Sequence, residues 1–281
     1  MQDPDWLDSQ YDNRRRVPEF AQHLSRWREA SLHARGGLRC HLDIPYSADG
    51  RLALDVFPAA QPRAPVLMFI HGGYWRSLNK SDFSFVATPF VAAGSMVVVP
   101  EYSLCPAVTV DAIALQMAHA LAWVHMHAAQ YGGDASHCVV AGHSAGGHLA
   151  AMLLTCDGRR VSRELPTQLL RSAVSISGLY DLAPIAATPY LQVDLRLTPE
   201  VVARTSPANF AAPSGARLAS VVGALESEEF RRHNRLIRDR WGSRVVPICE
   251  ELAGRNHFTA LDELVEPQTR LQQCVLQWLA D

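Results

Sequence analysis

Gly142-His143-Ser144-Ala145-Gly146 sets one hydroxyl among small residues, after the apolar run Val139-Val140-Ala141 and before the apolar stretch His148–Leu154. A G-x-S-x-G sequence in that setting makes a sharp turn from strand to helix, and only small neighbours fit beside so strained a serine. The turn pushes Ser144 Oγ into the open at a helix N-terminus, where unpaired N–H groups favour an incoming anion. The chemistry this suits is attack on an acyl carbon through a covalent intermediate.

A second signal, His71-Gly72-Gly73-Tyr74-Trp75, directly follows the apolar run Val66–Ile70. Two glycines let backbone come close to a bound carbonyl. The N–H groups of Gly72, Gly73 and Ala145 are expected to form an oxyanion hole, a device worth about 3–4 kcal/mol per donor. His71 reads as a brace for that loop, because the general base should come last in the chain. His257, in Arg255-Asn256-His257-Phe258 after the last apolar run, has that position. The other histidines fit less well: His119, His125 and His127 share one helix, His143 and His148 flank the serine, and His233 lies among arginines. The acid that orients the base belongs between nucleophile and base. Glu226 stands there after Val221-Val222-Gly223, while Asp181, Glu228 and Glu229 remain alternatives; the last two suit the start of the next helix. Tyr74, Trp75, Tyr102, Tyr180 and Phe258 lie beside these loops and are expected to line an aromatic substrate pocket, with plain core packing as the competing reading of each.

Several classes of function are excluded or disfavoured. No H-E-x-x-H, C-x-x-C or EF-hand pattern occurs, so neither a metal nor another cofactor is expected. A net charge of −2 gives no reason to expect nucleic acid or an anionic membrane as partner. The arginines from Arg231 to Arg240, interspersed with Glu228, Glu229 and Asp239, read as a solvated helix face. The start, Met1-Gln2-Asp3-Pro4-Asp5, lacks the basic region and apolar core of a signal peptide. The apolar stretch Ala112–Ala129 is interrupted by Gln116, His119, His125 and His127, so it reads as a packed helix and not a membrane span. The six cysteines are scattered and read as free thiols, which points to a cytoplasmic protein.

Positioning these residues needs a scaffold, and the pattern supplies one. Eight β-rich runs recur: Leu38–Ile44, Leu52–Phe57, Val66–Ile70, Met96–Val99, Cys138–Ala141, Ala173–Ser177, Ser220–Val222 and Val245–Cys249. From the third onward they are nearly continuously apolar, as strands covered on both faces must be. Helical stretches alternate with them: Asp111–Tyr131, Ala145–Thr155, Glu228–Trp241 and Thr259–Leu279. The alternation predicts an α/β fold, one domain with a mostly parallel eight-stranded sheet and helices on both faces. Residues 45–50 suit a hairpin, so the sheet is expected to open antiparallel. Pro18–Ala34 reads as a helix packing over the site or against a partner subunit, so a homodimer is one arrangement the sequence allows. Residues 179–216, rich in Pro and Ala, read as a small cap inserted after the sixth strand.

With these residues placed, the sequence resembles the kynurenine formamidase (arylformamidase) branch of the α/β hydrolases, close to small esterases. The resemblance rests on Leu7, Gln10-Tyr11, Asn13, Arg14 and Val17-Pro18, and on His71-Gly72-Gly73-Tyr74-Trp75. It extends through Gly142-His143-Ser144-Ala145-Gly146-Gly147-His148, Ser227, Glu229, Phe230 and His257-Phe258. Two positions depart from the family pattern: Glu226 stands where the acid is usually Asp, and Gly147 where Ala is frequent. The resemblance implies the α/β-hydrolase fold and a serine hydrolase of a small acyl amide, an aryl formamide such as N-formylkynurenine, with Ser144, His257 and Glu226 in catalysis. The alternative is a carboxylesterase using the same residues on small acyl or aryl esters.

Overall fold

A computed structural model describes residues 3–47, 50 and 52–281 of the chain. One sheet contains β1 (His41–Pro45), β2 (Ala53–Phe57), β3 (Ala64–Ile70), β4 (Met96–Pro100), β5 (Gly133–His143), β6 (Ser172–Ile176), β7 (Arg217–Gly223) and β8 (Ile248–Leu252). Their order is β1-β2-β4-β3-β5-β6-β7-β8. β2 runs antiparallel to both β1 and β4, and every other pairing is parallel. The tip of the expected first hairpin includes residues 48, 49 and 51, which lie outside the described residues, as do Met1 and Gln2 of the N-terminal segment.

The helices in chain order are α1 (Pro4–Tyr11), α2 (Asn13–Arg16), α3 (Phe20–Gly37), α4 (Ala87–Ala92), α5 (Val110–His127), α6 (Ala145–Leu154) and α7 (Gly158–Val161). Then come α8 (Ala183–Ala186), α9 (Pro189–Leu195), α10 (Pro199–Thr205), α11 (Glu228–Val245), α12 (Asp262–Val265) and α13 (Arg270–Ala280). They cover both faces of the sheet. Side chains alternate along a strand, so Val66, Met68 and Ile70 of β3 enter one core while Leu67 and Phe69 enter the other. That two-sided burial is why the central strands read as unbroken apolar runs.

Three boundaries differ from expectation. The first strand begins at His41 because α3 continues to Gly37. The last begins at Ile248, three residues later than predicted. α11 resumes after Gly242 (φ 76°) and carries Val245, whose side chain is buried. The predicted final helix is split, since Pro267 disfavours helical backbone before it and α12 ends at Val265. Residues 179–216 leave the sheet after β6 and hold α8, α9 and α10, each with Pro in its first two positions, where a missing N–H costs nothing. Outside the cap segment, four helices, α1, α2, α4 and α7, are additional to those the sequence pattern predicts.

The parallel strands deliver their carboxyl ends to one edge of the sheet, the usual place for a site in such folds. His71 to Trp75 follow β3, Ser144 follows β5, Ser177 follows β6, Glu226 follows β7 and His257 follows β8. The chain's only lysine helps hold this edge. Buried Lys80 donates from Nζ to Asp55 (2.5 Å) on β2 and to Asp43 (2.7 Å), and from its backbone N–H to Glu101 (3.0 Å).

Candidate active site

Ser144 has φ 57° and ψ −117°, a conformation rarely adopted by residues other than glycine, and caps the start of α6. Packing enforces that strain. A Cβ at Gly142 would lie 2.1 Å from Gly146 O, and one at Gly146 would lie 2.0 Å from Ile70 O. Only glycine fits either position, so the helix start can press against both β5 and the end of β3. The Ser144 N–H donates to Ile176 O at 2.8 Å, fixing the turn against β6.

His257 and Glu226 meet across the loops after β8 and β7. His257 Nδ1 and Glu226 Oε2 are 2.6 Å apart, with the Glu226 side chain fully buried. Glu226 Oε1 accepts from Gly223 N–H (2.7 Å) and from Ser177 Oγ (2.5 Å). Three donors therefore converge on one carboxylate and supply the hydrogen bonds that a buried polar group needs. With Nδ1 engaged, Nε2 is the imidazole nitrogen left to accept a proton. His143 donates from Nε2 to His257 O at 2.8 Å and so holds the backbone of that loop. Burial, assisted by the neighbouring His257, pushes the His143 pKa down to about 3, so this imidazole stays neutral.

The loop after β3 is an unusual turn. Gly73, Tyr74 and Trp75 have φ of 108°, 49° and 54°, three successive residues in left-handed backbone. Gly73 O accepts from Arg76 and Ser77 N–H, closing the turn. Successive N–H groups in such turns form concave anion sites. His71 braces the loop: its Nδ1 bonds Gly72 O (2.8 Å), its Nε2 bonds Glu101 (3.0 Å), and its ring stacks on Tyr102 at 4.1 Å. A Cβ on Gly72 would fall 3.1 Å from Ser144 Cβ, so this loop touches the serine turn directly.

Ser144, His257, Gly73, Tyr74 and Phe258 line one cavity of about 410 Å³, a size suited to a small organic molecule. No hydrogen bond joins Ser144 Oγ to His257 in this geometry, although both face the same cavity; such contacts often tighten only around substrate. Four expected site residues are placed elsewhere. Gly72 packs closely against His143 O and Ser144 Cβ and does not line the cavity. Trp75 is fully buried, edge-on to His148 at 5.0 Å. Tyr102 is buried with its hydroxyl on His71 O and Gly72 O, and Tyr180 with its hydroxyl on Ser175 and Ser220. These phenols satisfy buried polar groups of the scaffold and do not reach the cavity wall. Ala145 is buried at the first position of α6, where its N–H has no carbonyl one turn back. The alternative acids point elsewhere too: Asp181 caps Ala183 N–H and pairs with Arg232, and Glu229 accepts from Tyr11 Oη at 2.7 Å. Glu228 opens α11.

Sequence reasoning missed part of the wall. Asn13, Arg14, Leu24 and Trp27 come from the N-terminal helices, and Tyr190 and Asp194 from α9. Tyr74 anchors that N-terminal cover, donating to Tyr11 O (2.7 Å) and accepting from Asn13 (3.3 Å). The opening motif containing Tyr11, Asn13 and Arg14 was the available signal. Ser177, with φ 54° beneath Glu226, had none. No cluster of side chains among the described residues could hold a metal ion, and none of their helices is long and apolar enough to cross a membrane.

Fold and site together define an α/β hydrolase. A family model, BD-FAE, matches residues 54–191. Kynurenine formamidase of Danio rerio is 29% identical over 98% of this chain and 96% of its own, and that of Salmo salar 29% over 96% and 93%. Esterase LipQ of Mycobacterium tuberculosis is 34% identical over 50% of this chain and 35% of its own. Among solved structures, a protein assigned as a thioesterase in Silicibacter sp. TM1040 superposes with a TM-score of 0.84 at 27% identity, covering 98% of this chain and 99% of that one. The chain is thus a hydrolase similar to the kynurenine formamidases over nearly its whole length and close to the esterases.

Proposed function

We propose that this chain hydrolyses an aryl formamide such as N-formylkynurenine through an acyl-enzyme. Ser144 Oγ attacks the formyl carbon while His257 Nε2 takes its proton. Glu226 holds the proton of Nδ1 and stabilises the imidazolium that forms. The tetrahedral oxygen is held by the N–H groups of Gly73 and Ala145, with Tyr74 in place of Gly72 as the third donor. On collapse His257 gives its proton to the departing aryl amine, leaving formyl-Ser144. Water then attacks with His257 as base, releasing formate and restoring the serine.

The observation carrying this reading is the near full-length similarity to two kynurenine formamidases, which includes the N-terminal helices that roof the cavity. Tyr74, immediately beside the oxyanion donors, leaves little space on the acyl side, while Trp27, Tyr190 and Phe258 offer faces for an aromatic leaving group. The local similarity to LipQ supports a second reading, a carboxylesterase using the same residues on small acyl or aryl esters. A graded acyl series separates them. A pocket discriminates by about 1–3 kcal/mol per methylene, so kcat/KM should fall stepwise from formyl to acetyl to butyryl on a common aryl amine or phenol. N-formylkynurenine should rank among the better amides. Butyryl esters surpassing both shorter acyl groups, with no cleavage of N-formylkynurenine, would leave the esterase reading standing.

A further inference from the structure

Three fixed charges line the cavity, and they do not cancel. Arg76 donates to Asp194 at 2.7 Å, and its guanidinium lies over the Tyr190 ring at 4.4 Å, so that pair is internally satisfied. The remaining charge is Arg14, on α2. It is exposed, its side chain makes no ion pair and no hydrogen bond among the described residues, and its guanidinium lies over the Phe20 ring, 5.5 Å from the centroid. Arg15 and Arg16, beside it on the same short helix, are exposed as Arg14 is but do not line the cavity, and Arg16 donates to Ser9 O. Of this basic run Arg14 alone lines the cavity, and it has no acid partner among the described residues.

Its backbone is held in place by a dedicated set of contacts. Asp12 caps α2 through Arg15 N–H (3.0 Å), and Asn13 next to Arg14 bonds Tyr74 Oη, which in turn bonds Tyr11 O. Tyr74 belongs to the turn that carries the oxyanion donors. The stretch of α2 that carries Arg14 is thereby tied to the reacting end of the cavity by a short chain of bonds. A planar fork with five donors and no acid partner is matched to a carboxylate.

We infer that Arg14 recognises a carboxylate on the leaving-group side of the substrate, making the preferred substrates aryl amides that carry an amino-acid or other carboxylic-acid side chain. This rests on the proposed formamidase reading for the reaction cleaved, but the anion subsite can be measured without it. Hydrolysis of 4-nitrophenyl acetate, a neutral ester, serves as the reporter, and L-kynurenine or its carboxamide as the competing ligand. In the parent enzyme L-kynurenine should inhibit more strongly than the carboxamide. Arg14→Gln should weaken inhibition by L-kynurenine about tenfold or more, the scale of one charged hydrogen bond, and leave the carboxamide nearly as before. Arg14→Lys should recover part of the difference, and Arg15→Gln should show none of it. With N-formylkynurenine as substrate, the Arg14→Gln loss should fall mainly on KM.

Equal losses for carboxylate and carboxamide would show that Arg14 only supports the cover, and an unchanged inhibition ratio would show that it binds no anion; either result overturns the inference. If the parent enzyme fails to cleave N-formylkynurenine while the inhibition ratio shifts in the expected way, the formamidase reading falls and the carboxylate subsite stands.

Discussion

Replacing Glu226 by Gln preserves shape and removes one charge, and the surrounding donors dictate the consequence. The amide can be seated two ways. In the first, its oxygen keeps the donors from Gly223 (2.7 Å) and Ser177 (2.5 Å), and its NH₂ faces His257 Nδ1. Nδ1 must then accept, the imidazole proton moves to Nε2, and His257 can no longer take the proton of Ser144. In the second, the amide oxygen faces His257 and the right tautomer survives. The NH₂ then meets the Gly223 N–H donor to donor, inside a site whose side chain has no solvent exposure. An unsatisfied buried donor costs about 1–3 kcal/mol, so the productive seating is a minority of roughly one part in ten to one in a hundred. The imidazolium also loses its carboxylate. Together these predict a fall in kcat of about 10³- to 10⁴-fold, or ~4–5 kcal/mol. The assay is steady-state turnover of N-formylkynurenine and 4-nitrophenyl acetate, with the rate of labelling by a fluorophosphonate as a measure of Ser144 nucleophilicity. Ser144→Ala supplies the unlabelled reference, and circular dichroism verifies folding. Asp181→Asn should stay within a few-fold of the parent, because Asp181 caps Ala183 and pairs with Arg232 at 3.6 Å, away from His257. A folded Glu226→Gln enzyme within tenfold of the parent, or a crippled Asp181→Asn enzyme, would refute this account of the base.

Two further expectations concern stability. Trp75 fills the core against His148, so Trp75→Ala should cost about 3–5 kcal/mol in urea unfolding and not reshape the acyl preference; a near-normal midpoint with a flattened acyl series would contradict its placement. Burial holds His143 down to about 3 and His148 to about 4, and with the added influence of Arg232 keeps His233 well below its ordinary value. Their folded-state values are depressed, so the stabilisation is complete above the unfolded value of 6.5 and is lost as pH falls toward the folded ones. Between pH 6.5 and 5 the unfolded chain binds more protons, and each buried histidine contributes a slope of up to about 1.4 kcal/mol per pH unit. Urea midpoints should therefore drop between pH 7 and 5, and His143→Gln should reduce the steepness by close to one proton. A flat profile over that range would mean these imidazoles are not held neutral.

Much of the edge that carries the site was legible because its conditions are local. Small residues around a serine, after an apolar run and before a helical one, determine a strained turn wherever the chain folds around them. Gly142 and Gly146, whose absent Cβ atoms would strike Gly146 O and Ile70 O, show why those residue types stand there. The aromatic residues were read less well. Tyr74 and Trp75 are adjacent in sequence and both in left-handed backbone, yet one faces the cavity and the other is sealed in the core. Nothing in their order distinguishes them, because neighbours in a tight turn point in different directions and what receives each ring comes from distant segments. Tyr102 and Tyr180 illustrate the same limit, for their hydroxyls satisfy buried partners on other loops.

The sequence by itself determined the alternation of strand and helix, the parallel core of the sheet, and which loops carry a hydroxyl, an imidazole and a carboxylate. Each of these depends on periodicity or on a few consecutive residues. Only the tertiary structure decided that Ser177, from the loop after β6, completes the surroundings of Glu226, and that His143 holds the His257 loop. It alone brought α2 and α3 over the cavity, with Asn13 tied to Tyr74 across 61 positions and Arg14 without a counter-charge among the described residues. Long-range closure sets those relations: a side chain's partner is chosen by where the sheet delivers the other loops, and no window of sequence contains both.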